Sequence, residues 1–417
     1  MLTQSIYQVF IRNHTEEGSI KALIKDIDRI QSMGFDILYL MPFHPISVLN
    51  RKGTYGSPYA ISNYYEVSED LGTLDDLQEL INKAHLLNMK VIMDIVFNHT
   101  GRDHTYITTH PEYYVLDNEK NPTARVADWY DIADFDFDNK DLWEELINVL
   151  YYWSNKGIDG VRCDVASLIP LDFWKEARQR VNVTHPEFMW FSESIDLDFL
   201  HHLRKENHLA NSDVEILSIF DGSYDYDLWK EFSKVLQGEK NLDVYCALVN
   251  YQAASLSKGK IKWRFIENHD QPRSMRVLKR KKLERLWLSY IMMLPGMAFV
   301  YAGQESYQQQ ETPLFEKEMI NRDFDEELCN LITRLNLLRK RFYKDGVLDY
   351  RLSNKDNVLR LVVYTPTQEL ELLLNLDLES KKVDVLNGIA LNLRDGSKST
   401  VNNGKIELIN NPILMIR

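Results

Sequence analysis

The chain has 417 residues, of which 44% are hydrophobic and 27% charged, with 17 Gly and 12 Pro, a composition that excludes disordered and collagen-like chains. At about 100–200 residues per domain, the length allows two to four domains or one large barrel with attachments. Lys and Arg total 49 against 62 Asp and Glu, a net charge of −13, which repels a phosphate backbone and argues against nucleic acid as a partner.

The first residues carry no basic segment followed by an apolar stretch and run directly into a strand-like pattern at 6–10, so no secretory signal is read there. Helical spacing follows at 20–33, a strand-like run at 37–40, a helical pattern at 74–87 and a strand-like run at 91–96. Residues 99–140 break the alternation. They are rich in aromatics, Asp and Asn without a clear period, and a connection of that length points to a functional insertion.

The alternation resumes with helical patterns at 142–153, 173–181 and 282–294, and strand-like runs at 160–164, 188–193, 215–220, 263–267 and 297–301. The uncharged run 286–303 has the length of a membrane span, but Pro295-Gly296 divides it into a helix-like and a strand-like half, each suited to a soluble core. No membrane association is expected. Eight strand candidates joined by helical crossovers predict a (β/α)8 TIM barrel, in which catalytic side chains sit at the C-terminal ends of the strands. From about Asp345, strand-like runs at 358–364, 370–376, 405–409 and 412–416 follow one another without helices. The expected organisation is therefore α/β, with a barrel domain A over 1–98 and 141–344, an inserted domain B over 99–140 and a C-terminal β domain over 345–417.

Acidic residues fall at or just after the strand candidates: Asp94 on the third, Asp164 on the fourth, Glu193 on the fifth and Glu267-Asn268-His269-Asp270 on the seventh. A barrel would converge them on one face. In Gly160-Val161-Arg162-Cys163-Asp164 the two-residue period sends Arg162 and Asp164 to one side and Cys163 to the other. Arg162 can then hold Asp164 ionised, as a nucleophilic carboxylate requires, or form an ordinary buried ion pair with it. Chemistry at an acetal carbon needs two carboxyl groups, about 5–5.5 Å apart in a retaining mechanism, and Asp164 with Glu193 on adjacent strands can meet that distance. Glu193 follows Met189-Trp190-Phe191-Ser192, so its carboxyl group is expected against apolar surface, which would keep a general acid protonated.

His99 and His269 each stand beside carboxylates. Without an HExxH motif, a zinc site is the weaker reading, and neutral imidazoles that hydrogen-bond sugar hydroxyls fit better. Tyr55, Tyr59, Tyr64, Tyr113, Tyr114, Trp129 and Tyr130 cluster near these segments and offer either sugar-stacking faces or core packing. The three cysteines, Cys163, Cys246 and Cys329, have no CxxC spacing and fit a reducing cytoplasm.

These segments resemble the α-amylase family of glycoside hydrolases, glycoside hydrolase family 13, over residues 6–304. The matching stretches are DIVFNH at Asp94 to His99, GVRCD at Gly160 to Asp164, SES at Ser192 to Ser194 and ENHD at Glu267 to Asp270, with GFDILYLMP from Gly34 and YGSPYAISNYY from Tyr55 as weaker matches. The resemblance implies Asp164 as nucleophile, Glu193 as acid/base and Asp270 as the third carboxylate. It implies Arg162 as the group positioning Asp164, His99 and His269 as sugar ligands, Tyr59 as a stacking platform, Asp94 and Asn98 as supporting groups, and Arg273 as a further residue reaching the pocket. The family's common calcium site draws on the Asn of the first motif and on domain B oxygens, so Asn98 with Asp128, Asp131, Asp134 and Asp136 are the candidate ligands of a structural calcium ion. No cofactor is required by the implied mechanism.

Three departures bear on specificity, one of them Ser57-Pro58, which lengthens the loop before Tyr59 and is expected to reshape the donor pocket. Many α-amylases carry Lys-His three and four positions after the nucleophile, where Ser167-Leu168 stand here, and Val165 resembles the α-1,6-acting members. The expected activity is retaining hydrolysis of α-glucosidic bonds in malto-oligosaccharides or related short α-glucans. An α-1,6-glucosidase or a glucosyl-transferring member is the alternative, and a non-catalytic binding homologue is disfavoured because Asp164 and Glu193 are both present.

Overall fold

The computed structural model describes residues 1–126 and 128–417. Eight parallel strands close into a barrel in sequential order: β1 Ser5–Val9, β2 Ile37–Leu40, β3 Lys90–Ile95, β4 Gly160–Cys163, β5 Met189–Ser192, β6 Gly222–Tyr224, β7 Ile261–Arg264 and β8 Met297–Tyr301, with β8 pairing back onto β1. Alternation along each strand sorts the side chains into two cores. Ile6, Tyr39, Ile92, Phe191, Tyr224, Trp263 and Phe299 fill the barrel interior, whereas Tyr7, Leu38, Met93, Val161, Cys163, Trp190 and Val300 pack against the helices.

The crossover helices start where the sequence supplies caps. Ser19 accepts from Ala22 N–H before the helix Ile20–Ser32, Thr73 and Asp76 form a capping box before Leu74–Leu86, and Asn139 caps Lys140–Asn155. Between β3 and the helix Lys140–Asn155 runs the segment expected as an insertion. It contains a short antiparallel ribbon, His99–Gly101 with Ile132–Asp134, and little other regular structure.

The sixth strand differs from the expectation. Residues 213–217 form a helix, and the strand is the three-residue Gly222–Tyr224. The apolar run around Ile216 suits either state, and the deciding signal is the Ser212–Glu215 capping box, in which Ser212 Oγ accepts from Glu215 N–H and Glu215 Oε2 accepts from Ser212 N–H. A long helix, Glu326–Phe342, covers the barrel after β8. Beyond it a six-stranded antiparallel sheet, Asp349–Lys355, Val358–Tyr364, Glu369–Asn375, Ile413–Ile416, Gly388–Asn392 and Lys398–Val401 in spatial order, is joined by the ribbon Lys381–Asp384 with Lys405–Leu408. No helix among the described residues is long and apolar enough to cross a membrane.

Candidate active site

The site is assembled around β4. Gly160 admits a close approach to β5, because a Cβ there would meet Met189 O at 2.5 Å. Two residues on, Arg162 turns into the barrel beside Asp94, its register partner on β3. Its Nη1 donates to Asp94 Oδ1 at 2.7 Å and to Asp164 Oδ1 at 2.8 Å, and its Nη2 lies 2.9 Å from Glu193 Oε2. One buried guanidinium therefore holds three carboxylates.

The charge balance is uneven. Burial pushes the Asp164 carboxyl well above the usual carboxylate range; Arg162 pulls it down, and the neighbouring Glu193 and Asp94 charges push it up again. Burial likewise raises Asp94, against the pull of Arg162 and a hydrogen bond from Tyr39, whose hydroxyl donates to Asp94 Oδ2 at 2.7 Å. Burial thus raises Asp94 and Asp164 against the pull of Arg162, and repulsion between carboxylates adds to it at Asp164.

The apolar setting expected for Glu193 is not what surrounds its carboxylate. Phe191 points into the barrel and Trp190 toward the helices, while Glu193 Oε2 accepts from Val165 N–H at 2.8 Å and forms an ion pair with Arg162. Val165 makes this contact from a left-handed conformation, φ 35° and ψ 42°, which a β-branched side chain tolerates only when its surroundings enforce it. The residue following Asp164 is thus held under strain with its N–H aimed at Glu193.

Asp270 lies at the mouth, its side chain 35% exposed, with its N–H bonded to Asn268 Oδ1 and Oδ2 3.4 Å from Tyr226 Oη. His269 does not present free nitrogens to the mouth as expected. Its Nδ1 is 2.9 Å from Gln8 Nε2, and its Nε2 is 2.6 Å from Tyr59 Oη and 3.1 Å from Asp270 Oδ2. Burial and the nearby Arg162 lower its pKa to about 4, so the ring is neutral and accepts from Gln8 at Nδ1. Tyr59 in turn donates to Asp94 Oδ2 at 3.0 Å, with its ring stacked 5.8 Å from that of His269. His99, held neutral by burial, lies against Asn98 Nδ2 and the Trp129 ring.

Arg273, expected to reach the pocket, is 1% exposed and contributes to the lining of the cavity beside Asp270. Its guanidinium donates to Glu267 Oε1 at 2.6 Å, Ala302 O at 3.0 Å and Thr312 Oγ1 at 2.6 Å. It braces the ENHD segment against the segment after β8. Of the aromatics offered as sugar faces, Tyr64, Tyr113 and Tyr114 are buried core, and Tyr59, Trp129 and Tyr55 lie around the mouth. Gln8 and Tyr226 were not singled out from the sequence. Strand alternation, which puts Gln8 inward with Ile6 and Phe10, was the available signal for the first.

Two of the donors expected for calcium, Asp131 and Asp134, pair with cations. Asp134 accepts from Asn98 Nδ2 at 3.2 Å and from Arg125 N–H at 2.8 Å, with the Arg125 guanidinium 3.5 Å away. Lys52 Nζ lies 2.7 Å from Asp131 Oδ1 and 3.3 Å from Asp128 O. Arg102 takes the carbonyls of Tyr130 and Pro122, and Arg125 that of Phe135. Calcium takes six to eight oxygen ligands, waters among them; Asn98, Asp134 and Asp136 line one cavity, and no cluster of three His, Cys, Asp or Glu suited to a metal occurs among the described residues.

Carboxylates gathered on one arginine at the C-terminal mouth of a parallel barrel place the protein in the glycoside hydrolase class of (β/α)8 barrels. Within that class the chain belongs to the α-amylase family, whose catalytic-domain model matches residues 8–132 and 127–341. It is similar to the solved α-amylase of Lactobacillus plantarum (35% identity, TM-score 0.95, covering 100% of this chain and 99% of that one) and to the maltogenic α-amylase of Thermotoga neapolitana (30%, 0.87, 100% and 99%). Curated relatives include an α-1,4-glucan:maltose-1-phosphate maltosyltransferase of Picrophilus torridus, 31% identical over 54% of this chain and 37% of its own length. Alpha-amylase 3 of Dictyoglomus thermophilum is 28% identical over 72% of this chain and 63% of its own length. The chain spans less than two thirds of either curated relative.

Proposed function

We propose that the protein is a retaining hydrolase of α-glucosidic bonds in malto-oligosaccharides or related short α-glucans. The observation that carries this reading is the grip of one guanidinium on both Asp164 and Glu193. Two carboxyl groups held by one planar fork favour the retaining separation of about 5–5.5 Å over the ~6.5–9.5 Å that leaves room for a water between them. Asp164 attacks the anomeric carbon while Glu193 passes a proton to the departing glycosidic oxygen. The bond to that oxygen breaks, and a glycosyl ester of Asp164 forms. Glu193, now ionised, takes a proton from water, whose oxygen attacks the same carbon and releases Asp164. Asp270 accepts hydrogen bonds from sugar hydroxyls, and the Gln8–His269–Tyr59–Asp94 chain fixes the ring beneath the sugar. Sparse cysteines favour a cytoplasmic setting.

Similarity to a maltosyltransferase favours transfer to a sugar or phosphate as the second reading. Product chromatography after incubation with maltoheptaose, isomaltotriose and sucrose tests both, with the Glu193→Gln variant as control. Shorter products from maltoheptaose alone are expected. Glucose from isomaltotriose would indicate α-1,6 cleavage, products longer than the substrate would indicate transfer, and no turnover of any substrate would refute the reading.

A further inference from the structure

The retaining reading fixes which way a substrate lies. Glu193 on β5 protonates the leaving group, so the departing part of the chain lies over β4 and β5, and the sugar that bonds to Asp164 extends across the ring toward β8, β1 and β2. On that far side, three segments distant in sequence are tied together. Residues 48–56 follow β2. Val48 N–H and Leu49 N–H donate to Asp103 of the insertion at 2.7 and 3.2 Å, and Lys52 Nζ reaches Asp131 and Asp128 O of the same insertion. The other flank meets the segment after β8: Thr54 N–H donates to Glu316 Oε1 at 2.9 Å and Tyr55 N–H to Phe315 O at 2.9 Å.

Gly53 makes the junction tight. Its φ is +60°, and a Cβ there would meet Phe315 Cβ at 2.7 Å and Phe315 O at 2.9 Å. Arg12, just past β1, closes the seam from below, donating to Leu314 O at 3.1 Å with its guanidinium carbon 5.3 Å from the centre of the Tyr55 ring. Between Phe315, the one residue of this junction's core that faces it, and Asp270 lies a cavity of about 550 Å³ lined by residues 268–273, Tyr301 and residues 311–315.

We propose that the glycone side is a blind pocket ended by Phe315, which Gly53 and Tyr55 back from behind, so that the enzyme cuts α-glucans at a fixed short distance from a free non-reducing end rather than in mid-chain. This rests on the α-glucan hydrolase reading. A substrate whose non-reducing end carries extra bulk meets backbone held by hydrogen bonds on both flanks, and specificity arises from that clash.

The test compares p-nitrophenyl α-maltoheptaoside with the same compound blocked by a 4,6-O-ethylidene group on its non-reducing sugar, both followed by chromatography. Cleavage of the blocked compound more than tenfold slower than the free one is expected, with one short product dominating early turnover of the free compound. Rates within tenfold, or an early ladder of products, would overturn the pocket while leaving the hydrolase reading intact. Failure to cleave the free compound would overturn that reading and this inference with it. The double variant Lys52→Ala/Phe315→Ala, which loosens the wall, is expected to raise the blocked-to-free rate ratio at least tenfold over wild type. A folded double variant with an unchanged ratio would also overturn the pocket, and if it does not fold, the wild-type comparison decides alone.

Discussion

Arg162 sets the electrostatics of the site because a single cation answers Asp94, Asp164 and Glu193 together. Removing charge from either reacting group should abolish chemistry without removing the scaffold. Asp164→Asn and Glu193→Gln are each expected to lower kcat by several orders of magnitude while thermal unfolding stays close to wild type; activity within tenfold of wild type would refute the assignment. Cys163 faces the helix layer, and burial raises its thiol well above the usual range. Cys163→Ser should therefore leave kcat/KM within a few-fold of wild type, and inactivation of a stable variant would contradict the observed register. Asp94, Asp164 and Glu193 were legible in the sequence because each lies on or directly after a strand-like run, and Asp270 because it belongs to the ENHD stretch. Gln8, Tyr226 and the inward bracing of Arg273 were not, since a lone polar residue on a strand or an arginine after a motif carries no local sign of its partner. The strain at Val165 depends on where Glu193 arrives from another strand, and that too is a tertiary fact.

At the level of elements, strands β1 to β5 and β8 announce themselves by apolar runs, whereas β6 is three residues without a β-branched side chain and lies behind a capped helical turn. The helix Lys281–Met293 carries a second acid without a cation. Glu284 is buried beside Glu267 and linked to it through Ser274 Oγ, which lies 2.6 Å from each carboxylate, and burial followed by the Glu267 charge pushes its pKa up to about 8. A folded pKa above the unfolded value near 4.5 means that folding favours the protonated form, so stability is lost as pH rises from the unfolded value through 8. Glu284→Gln, which imitates the protonated acid, should raise stability by a few kcal/mol at pH 8.5 and little at pH 4.5; equal shifts at both pH values in thermal unfolding would contradict this. In the insertion, Lys52 and Arg125 pair with Asp131 and Asp134, two of the candidate calcium ligands. Chelator treatment is expected to leave the melting temperature unchanged, whereas Arg125→Ala should cost about 1–3 kcal/mol that added calcium does not restore. A chelator-induced drop in melting temperature reversed by calcium would refute this.

Across the whole molecule, histidines buried as neutral rings, His99 among them, oppose protonation in acid. Burial lowers His44 to about 4, His104 to about 3 and His269 to about 4, below the ~6.5 of the unfolded chain. Folding thus excludes protons that the unfolded chain binds, so their contribution is complete above pH 6.5 and is lost progressively as pH falls toward 4. Chemical denaturation between pH 7 and 4 should show a loss on the order of several kcal/mol, and a flat profile would show that these rings protonate without cost. The barrel was legible as a whole because its period repeats eight times, but the wall across its mouth was not. That wall joins residues 12, 52–56, 128–131 and 311–316, segments that no local pattern connects. A mouth dead-ended in this way has a kinetic corollary. A product seated at the far end leaves only after the shortened chain has let go, so each cut is followed by full release and a fresh encounter, and many chains shorten in step instead of one being consumed to its end.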